Sequence, residues 1–370
     1  MEHEGVRAEI LSTYQDLLRL KKDWKELYAE TGGDNVFLSW EWNEAYCRTF
    51  LRRANLLILA FERQGRIAAI APLVRRDTVV SFLSDPDLAD YQDVLVRDAH
   101  AEVFRKLLEV LSHLGSWDHL RLARVRHDSA NLPHLERALE DCRARWHRRL
   151  DSMSPYVALD DLDGYFEALP AALKRDIRYA QKKLTSGGGW TFVRAEAGTE
   201  AGRAILERLF DFHRRRPRTS HNASFFTPPD NRAFFIDIFE HYGKALGMDL
   251  SALKKGDAVV SAALGLSSGM RYYHWFNAVD PAYRKFPLEA LHLRELMEDV
   301  GRKGTRLFDF MPGRERNAAA WTTLKIASYD LRVFRHASNL YLDRAWCAAD
   351  SLLRAISPAH RAKRGKRLFT

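Results

Sequence analysis

Continuous apolar runs at Leu56 to Phe61 and Ile67 to Leu73 flank a Gln64-Gly65 pair, the punctuation that predicts a β-hairpin. Ahead of it, apolar positions at helical spacing predict a helix from Tyr14 to Glu30 and a second through Trp40, Trp42 and Tyr46. Behind it, Val79 to Leu83 and Asp93 to Val96 read as strands. An amphipathic helix from Ala101 to Leu114 and a strand from His119 to Ala123 follow. Much the same order then recurs: helices Ala201 to Arg215 and Asn231 to Leu246, and strands Leu250 to Leu253 and Ala258 to Leu266 about a Lys255-Gly256-Asp257 turn. A Ser267-Ser268-Gly269 turn leads to a strand from Arg271 to Asn277, a helix from Leu288 to Arg302 and a strand from Arg306 to Met311. Repetition of one supersecondary order implies an internal duplication.

Between the copies, Phe166, Leu169, Leu173, Ile177, Ala180 and Leu184 step by three and four, which predicts one helical stripe over Asp163 to Leu184. Lys174, Arg175, Arg178, Lys182 and Lys183 occupy its other faces, and Gly187-Gly188-Gly189 ends it. Such a face is either solvated surface or an anion-binding flank of a cleft. The pattern divides the chain into an N-terminal domain over 1–155, a linker with the basic helix over 156–189, a C-terminal domain over 190–356 and a tail over 357–370.

At 370 residues, 46% hydrophobic and 29% charged, the chain has the composition of a folded protein of more than one domain. Met1 to Ile10 supplies no apolar stretch of the kind that a signal peptide or a membrane span needs, so a cytoplasmic location, with peripheral attachment to the inner membrane as an option, is expected. Cys47, Cys142 and Cys347 have neither disulfide nor zinc spacing, and no metal is expected. The net charge of +9 favours anionic partners, but Arg361, Lys363, Arg364, Lys366 and Arg367 in the tail supply about half of it.

Several separated motifs, in order, resemble those of the CelD/BcsL group of GNAT-type acyltransferases, which is related to the Fem peptidoglycan transferases. They are Phe37-Leu38-Ser39-Trp40-Glu41-Trp42, Ile70-Ala71-Pro72-Leu73, Asp90-Tyr91-Gln92-Asp93, the basic linker helix, and Phe308-Asp309-Phe310-Met311-Pro312-Gly313 followed by Trp321. The resemblance implies an α/β (α+β) fold of two tandem GNAT-like domains, each a mixed, mostly antiparallel sheet flanked by helices. It further implies that acetyl-coenzyme A enters a splay between adjacent strands and sets its diphosphate at the start of the next helix, where unpaired N–H groups and the helix dipole favour negative charge.

Carried onto this sequence, the resemblance makes Arg271 to Asn277 the splayed strand and Arg284, Lys285, Phe286, Pro287 and Leu288 the donor-binding residues, Pro287 being suited to a first helical turn. The chain departs from the family pattern in lacking a glycine there and in having Asn317-Ala318 in place of a Tyr-Lys pair. Acyl transfer needs a base for the acceptor's proton and donors for the developing oxyanion. His274, Asp309 and Tyr273 are the catalytic candidates: an imidazole suited to neutral pH, a carboxylate on an otherwise apolar strand that orients His274, acts as base or binds backbone amides, and one of two adjacent tyrosines that point to opposite faces. Trp275, Trp321, Arg175 and Arg178 are the substrate-binding candidates.

The family setting implies an N- or O-acyltransferase acting on a sugar or precursor in bacterial surface polysaccharide assembly. Two alternatives stand beside it. One is a Fem-like transferase using aminoacyl-tRNA. The other is an inactive binding protein whose arginine-rich tail takes a cyclic dinucleotide or an anionic membrane surface. No signature of specific nucleic-acid binding is present.

Overall fold

The structure is a computed structural model and describes residues 5–31, 33–51, 55–98, 100–115, 117–186, 188–215, 225–313 and 318–345. Gly187, Asn317, Cys347 and the basic tail over 357–370 lie outside the described residues. The N-terminal half runs β1 (Arg7–Leu11), α1 (Tyr14–Arg19), α2 (Lys21–Glu30), α3 (Trp40–Phe50), β2 (Asn55–Arg63), β3 (Arg66–Arg76), β4 (Val79–Phe82), β5 (Leu95–Val96), α4 (His100–His113), β6 (His119–Arg126), α5 (Asn131–Asp141) and β7 (Arg145–Ala158). Then α6 (Leu162–Ala168) and α7 (Ala171–Thr185) lead into β8 (Thr191–Glu196), α8 (Glu200–Arg214), α9 (Pro229–Asp237), β9 (Met248–Lys255), β10 (Ala258–Ser268), β11 (Arg271–Val279), α10 (Leu288–Arg302), β12 (Leu307–Asp309) and β13 (Lys325–Phe334).

All strands join one sheet in the order β1-β2-β3-β4-β6-β13-β7-β12-β11-β10-β9-β8, with β5 beside β3. Pairing is antiparallel except at β4 with β6 and at β11 with β12, which are parallel. Each half thus repeats a meander, a helix and a strand parallel to the meander's last member. The halves then exchange their closing strands: β13 pairs with β6 of the N-terminal half, β7 pairs with β12 of the C-terminal half, and β7 and β13 pair with each other. The division expected between residues 155 and 156 falls inside β7.

Local chemistry explains the elements. Gln64 and Gly65 both adopt positive φ, +53° and +75°, the two-residue turn whose twist matches a hairpin, and β2 and β3 are apolar on both faces because both are covered. The helix expected over Tyr14 to Glu30 is two, since Leu20 ends α1 and starts α2; Thr13 and Asp16 form a capping box at the first. The stripe expected over Asp163 to Leu184 also breaks, because Leu169 is extended (φ −55°, ψ 144°) ahead of Pro170, as the proline ring requires. The strand expected from Asp93 to Val96 shortens to β5, and the helix expected from Asn231 to Leu246 starts as α9 and passes into a π turn over Ile238–Tyr242.

Three apolar cores result. One joins the halves, packing α1 to α3 and α8 to α9 against strands of both. A second lies under α4 and α5, and a third under α7 and α10.

Candidate active site

Strands β11 and β12 pair over three rungs only, Arg271 with Leu307, Tyr272 with Phe308 and Tyr273 with Asp309. Beyond them β12 stops, and Met311 (φ +66°) and Gly313 (φ +82°) turn the chain away. Strand β11 continues along β10 to Val279, and its register slips so that Leu264 faces Phe276 while Gly265 faces His274. Trp275 is the bulged residue, and a bulge re-aims the side chains that follow it. The parallel neighbours thus part beyond Tyr273, where the side chains of His274 and Phe310 are buried between them.

The chain then makes a short 3₁₀ turn over Pro281–Tyr283 and starts α10, for which Pro287 is the N-cap with no side-chain cap. Arg284 and Lys285 are exposed on the approach. Lys183 lies 5.9 Å from the Phe286 ring and Lys255 lies 5.9 Å from the Tyr283 ring. Cations thus lie along the approach to a helix start without a side-chain cap, where the Leu288 and Ala290 amides donate to the Phe286 and Pro287 carbonyls.

The alternation of β12 sets Phe308 and Phe310 toward the α7 and α10 side and Asp309 toward the core that joins the halves. His274 is buried on the first side, stacked on Phe308 at 5.5 Å and edge-on to Phe310. Asp309, wholly buried on the other, accepts from Tyr91 Oη at 2.8 Å, Arg271 Nη1 at 3.1 Å and the Met311 amide at 2.8 Å. His274 and Asp309 thus stand on opposite faces. Burial raises the Asp309 carboxyl above the usual range, against the Arg271 cation, the Met311 amide and the Tyr91 hydroxyl. Burial, with Asp309 beside it, raises Tyr91 well above an ordinary phenol, so Tyr91 remains a donor.

Tyr272 and Tyr273 point to opposite faces. Tyr272 donates to Asp249 Oδ2 at 2.8 Å, and Tyr273 donates to the Asp34 carbonyl. Arg271 also reaches the Asp34 carboxylate at 3.6 Å, and Arg126 reaches it at 3.4 Å. Trp275 packs in the joint core against Trp42 and Phe235. Trp321 is buried in the core under α7 and α10, takes a hydrogen bond from Tyr165 on its carbonyl and borders a pocket of about 370 Å³. Arg178 lines a groove of about 430 Å³ with Lys174 and Arg294, while Arg175 is exposed.

The structure thus brings Asp309 and Tyr273 to the last rung before β11 and β12 part and sets Trp321, Arg175 and Arg178 elsewhere on the C-terminal half. It adds Tyr91, Arg271, Asp34 and Arg126. Tyr91 lies in the Asp-Tyr-x-Asp motif, which signalled a turn; Arg271, a cation opening an aromatic strand, was the available hint of a buried carboxylate partner. Among the described residues there is no group of three or more side chains able to hold a metal, and no helix long and apolar enough to cross a membrane.

Residues 171–317 match the family described as acetyltransferase (GNAT) domain. That stretch of the chain is similar to a GNAT acetyltransferase domain. That domain covers α7 to β12, and so includes the diverging strands and the start of α10. Solved structures extend the likeness over both halves. FemX is similar over 91% of this chain and 99% of its own, with a TM-score of 0.61 and 13% identity. L-PGS from Bacillus licheniformis is similar over 87% and 93%, with a TM-score of 0.55 and 10% identity. The C-terminal domain of a putative lysylphosphatidylglycerol synthetase from Agrobacterium fabrum is similar over 92% and 97%, with a TM-score of 0.51 and 11% identity. At these identities the likeness is one of fold. No curated protein matches the sequence.

Proposed function

We propose that the protein is an acyltransferase whose donor, acetyl-coenzyme A or a close relative, enters the C-terminal half between β11 and β12. The observation that carries this reading is the three-rung parallel pair that parts at Tyr273, with exposed Arg284 and Lys285 leading to a helix start without a side-chain cap. In it the Glu289 amide, beside Leu288, with Pro287 and Phe286 at the turn and Arg284 and Lys285 on the approach, holds the diphosphate. The thioester lies by Tyr273. The acceptor nitrogen or oxygen attacks the thioester carbonyl, the carbon–sulfur bond breaks, and the thiolate leaves to take up a proton.

Asp309 is the proton acceptor in this reading, since burial raises its basicity and Tyr91 and Arg271 fix its oxygens. Tyr273 is the proton donor to the leaving thiolate. His274 shapes the donor's side of the opening through its stack on Phe308. Trp275 supports the acceptor side, and Trp321, Arg175 and Arg178 extend substrate contacts over the α7 face. The CelD/BcsL resemblance supports a sugar or polysaccharide precursor as acceptor.

Calorimetric titration with acetyl-coenzyme A tests the donor. Binding by the wild type that weakens about tenfold or more in Lys285→Glu, which reverses a charge beside the diphosphate, is expected; absence of binding to the wild type contradicts the reading.

A second reading, a Fem-like transfer from aminoacyl-tRNA, draws on Arg175, Arg178, Lys182 and Lys183, exposed along α7 as it approaches Phe286. Contacts to a nucleic-acid backbone give binding that falls steeply with salt, whereas coenzyme A gives a shallow slope. A steep salt dependence for charged tRNA with no coenzyme A binding would favour this second donor.

A further inference from the structure

The N-terminal half has its own pair of parallel neighbours. Strands β4 and β6 pair over Val79 with His119, Val80 with Leu120 and Ser81 with Arg121, and then part. On the path where the C-terminal half has one bulged residue, the N-terminal half inserts a long excursion over 83–94. Strand β4 pairs with Leu73 to Arg76 of β3, the chain departs, and β5 returns to pair with Ala69 and Ile70. The excursion contributes Asp85, Pro86 and Gln92 to the lining of a cavity of about 400 Å³ that also borders the paired residues Val79, Ser81, His119 and Arg121. The volume is that of a small-molecule site.

The cavity has three kinds of wall. Phe82, Pro86 and Ala123 make an apolar side. Asp77, ahead of β4, and Asp85, beyond it, bring carboxylates to the lining, and Arg76 and Arg121 bring cations. Arg121 belongs to an array of arginines around one carboxylate. Asp330 is completely buried and accepts from Arg121 Nε at 3.2 Å, Arg149 Nη2 at 3.0 Å and Arg332 Nη2 at 3.0 Å. Burial pushes the Asp330 carboxyl up, but the Arg121, Arg332 and Arg149 cations outweigh it and hold the group below its ordinary value. Asp330 is therefore a fixed anion, and three guanidiniums share it.

Arg121 uses only Nε for Asp330. Its two terminal amino groups make no hydrogen bond to the protein among the described residues, and the side chain keeps 14% of its surface exposed. A guanidinium clamped through Nε presents those amino groups as a preoriented fork, the geometry suited to two oxygens of one anion. His119, which also lines the cavity, is pushed below the usual imidazole range by burial and then by the Arg332 cation. At neutral pH it is a hydrogen-bonding ring without charge.

We propose that this cavity is a binding site for a phosphorylated sugar, with the phosphate on the Arg121 fork, the ring on the Phe82 and Pro86 side, and hydroxyl groups donating to Asp77 and Asp85. Arg76, the other lining cation, donates to the Ser81 hydroxyl and the Leu83 carbonyl, which leaves the Arg121 fork as the phosphate's place. The two carboxylates supply acceptors that a bare anion leaves unused. The site does not rest on the acyl-donor reading, and a failure of either leaves the other standing.

Calorimetry with three probes on the full chain tests it: N-acetylglucosamine 1-phosphate, N-acetylglucosamine and inorganic phosphate. The sugar phosphate is expected to bind at one site, about tenfold or more tighter than inorganic phosphate, with the free sugar weaker still. Arg121→Gln, which leaves Asp330 with Arg149 and Arg332, is expected to weaken the sugar phosphate about tenfold or more, and Arg121→Lys to lose only part of that. Absence of saturable binding, equal affinity for inorganic phosphate, or unchanged affinity in a folded Arg121→Gln protein overturns the proposal. If Arg121→Gln does not fold, the carbon-bound proton resonances of His119 in the wild type decide: a saturating shift with the sugar phosphate supports the site, and unmoved resonances overturn it.

Discussion

Asp309 sits among apolar neighbours on a strand of three residues, and its charge is decided by opposing effects: burial raises its pKa, while Arg271, the Met311 amide and Tyr91 lower it. Burial wins, which makes this carboxylate a better base than an exposed one. Asp309→Asn is accordingly expected to lower acyl transfer by about 10²- to 10⁴-fold, measured as thiol release from the acyl donor. Tyr91→Phe removes one donor and is expected to cost about tenfold, with donor affinity unchanged in both variants. A folded Asp309→Asn protein with full activity would exclude Asp309 as the base. The sequence alone exposed Asp309, because a carboxylate in Phe308-Asp309-Phe310 needs a partner. It did not expose Tyr91, which meets Asp309 from 218 residues away, a distance that no local pattern spans.

Helix α10 shows how a single side chain can dock an element. His292 is completely buried where α10 crosses the sheet, with Nε2 2.9 Å from Ser251 Oγ and Nδ1 2.7 Å from Ser261 Oγ. Burial drives its pKa from about 6.5 down to about 3, so the folded protein keeps it neutral while the unfolded chain takes a proton below about pH 6.5. Its contribution to stability is thus complete above that pH and falls away as pH drops toward 3, by about 2 kcal/mol at pH 5. Urea unfolding at pH 7.5 and pH 5 is expected to show this loss in the wild type and a smaller one in His292→Asn; equal losses would mean that His292 is not the titrating group. Element prediction succeeded where period and punctuation agreed, as for the Gln64-Gly65 hairpin and α10. It failed for β7 and β13, whose faces carry charged residues such as Arg149, Asp330 and Arg332 in the sheet's interior, so that neither reads as an apolar strand.

At the scale of the whole molecule, the exchange of closing strands is the feature that a duplication read from sequence does not contain. Each half ends on a strand that completes the other's sheet, so a fragment holding one half alone exposes β6 or β12 as an unpaired edge. Residues 1–161 expressed alone are expected to aggregate, as are residues 162–370, whereas co-expression restores a soluble complex. Two separately soluble fragments, each with its own cooperative thermal transition, would contradict the exchange. The order of the two meanders was legible because each hairpin is local. Their joining was not, because it depends on pairs such as Arg149 with Asp330 that are far apart in the chain.

The position of the acyl donor decides the proposed chemistry, and amide hydrogen exchange with and without acetyl-coenzyme A reads this position directly. Protection gained at residues 274–277 of β11 and at 286–290, where α10 begins, with the 83–94 segment unchanged, is the predicted result. Protection confined to 83–94 and β6, or none at any segment under saturating donor, would contradict entry between β11 and β12.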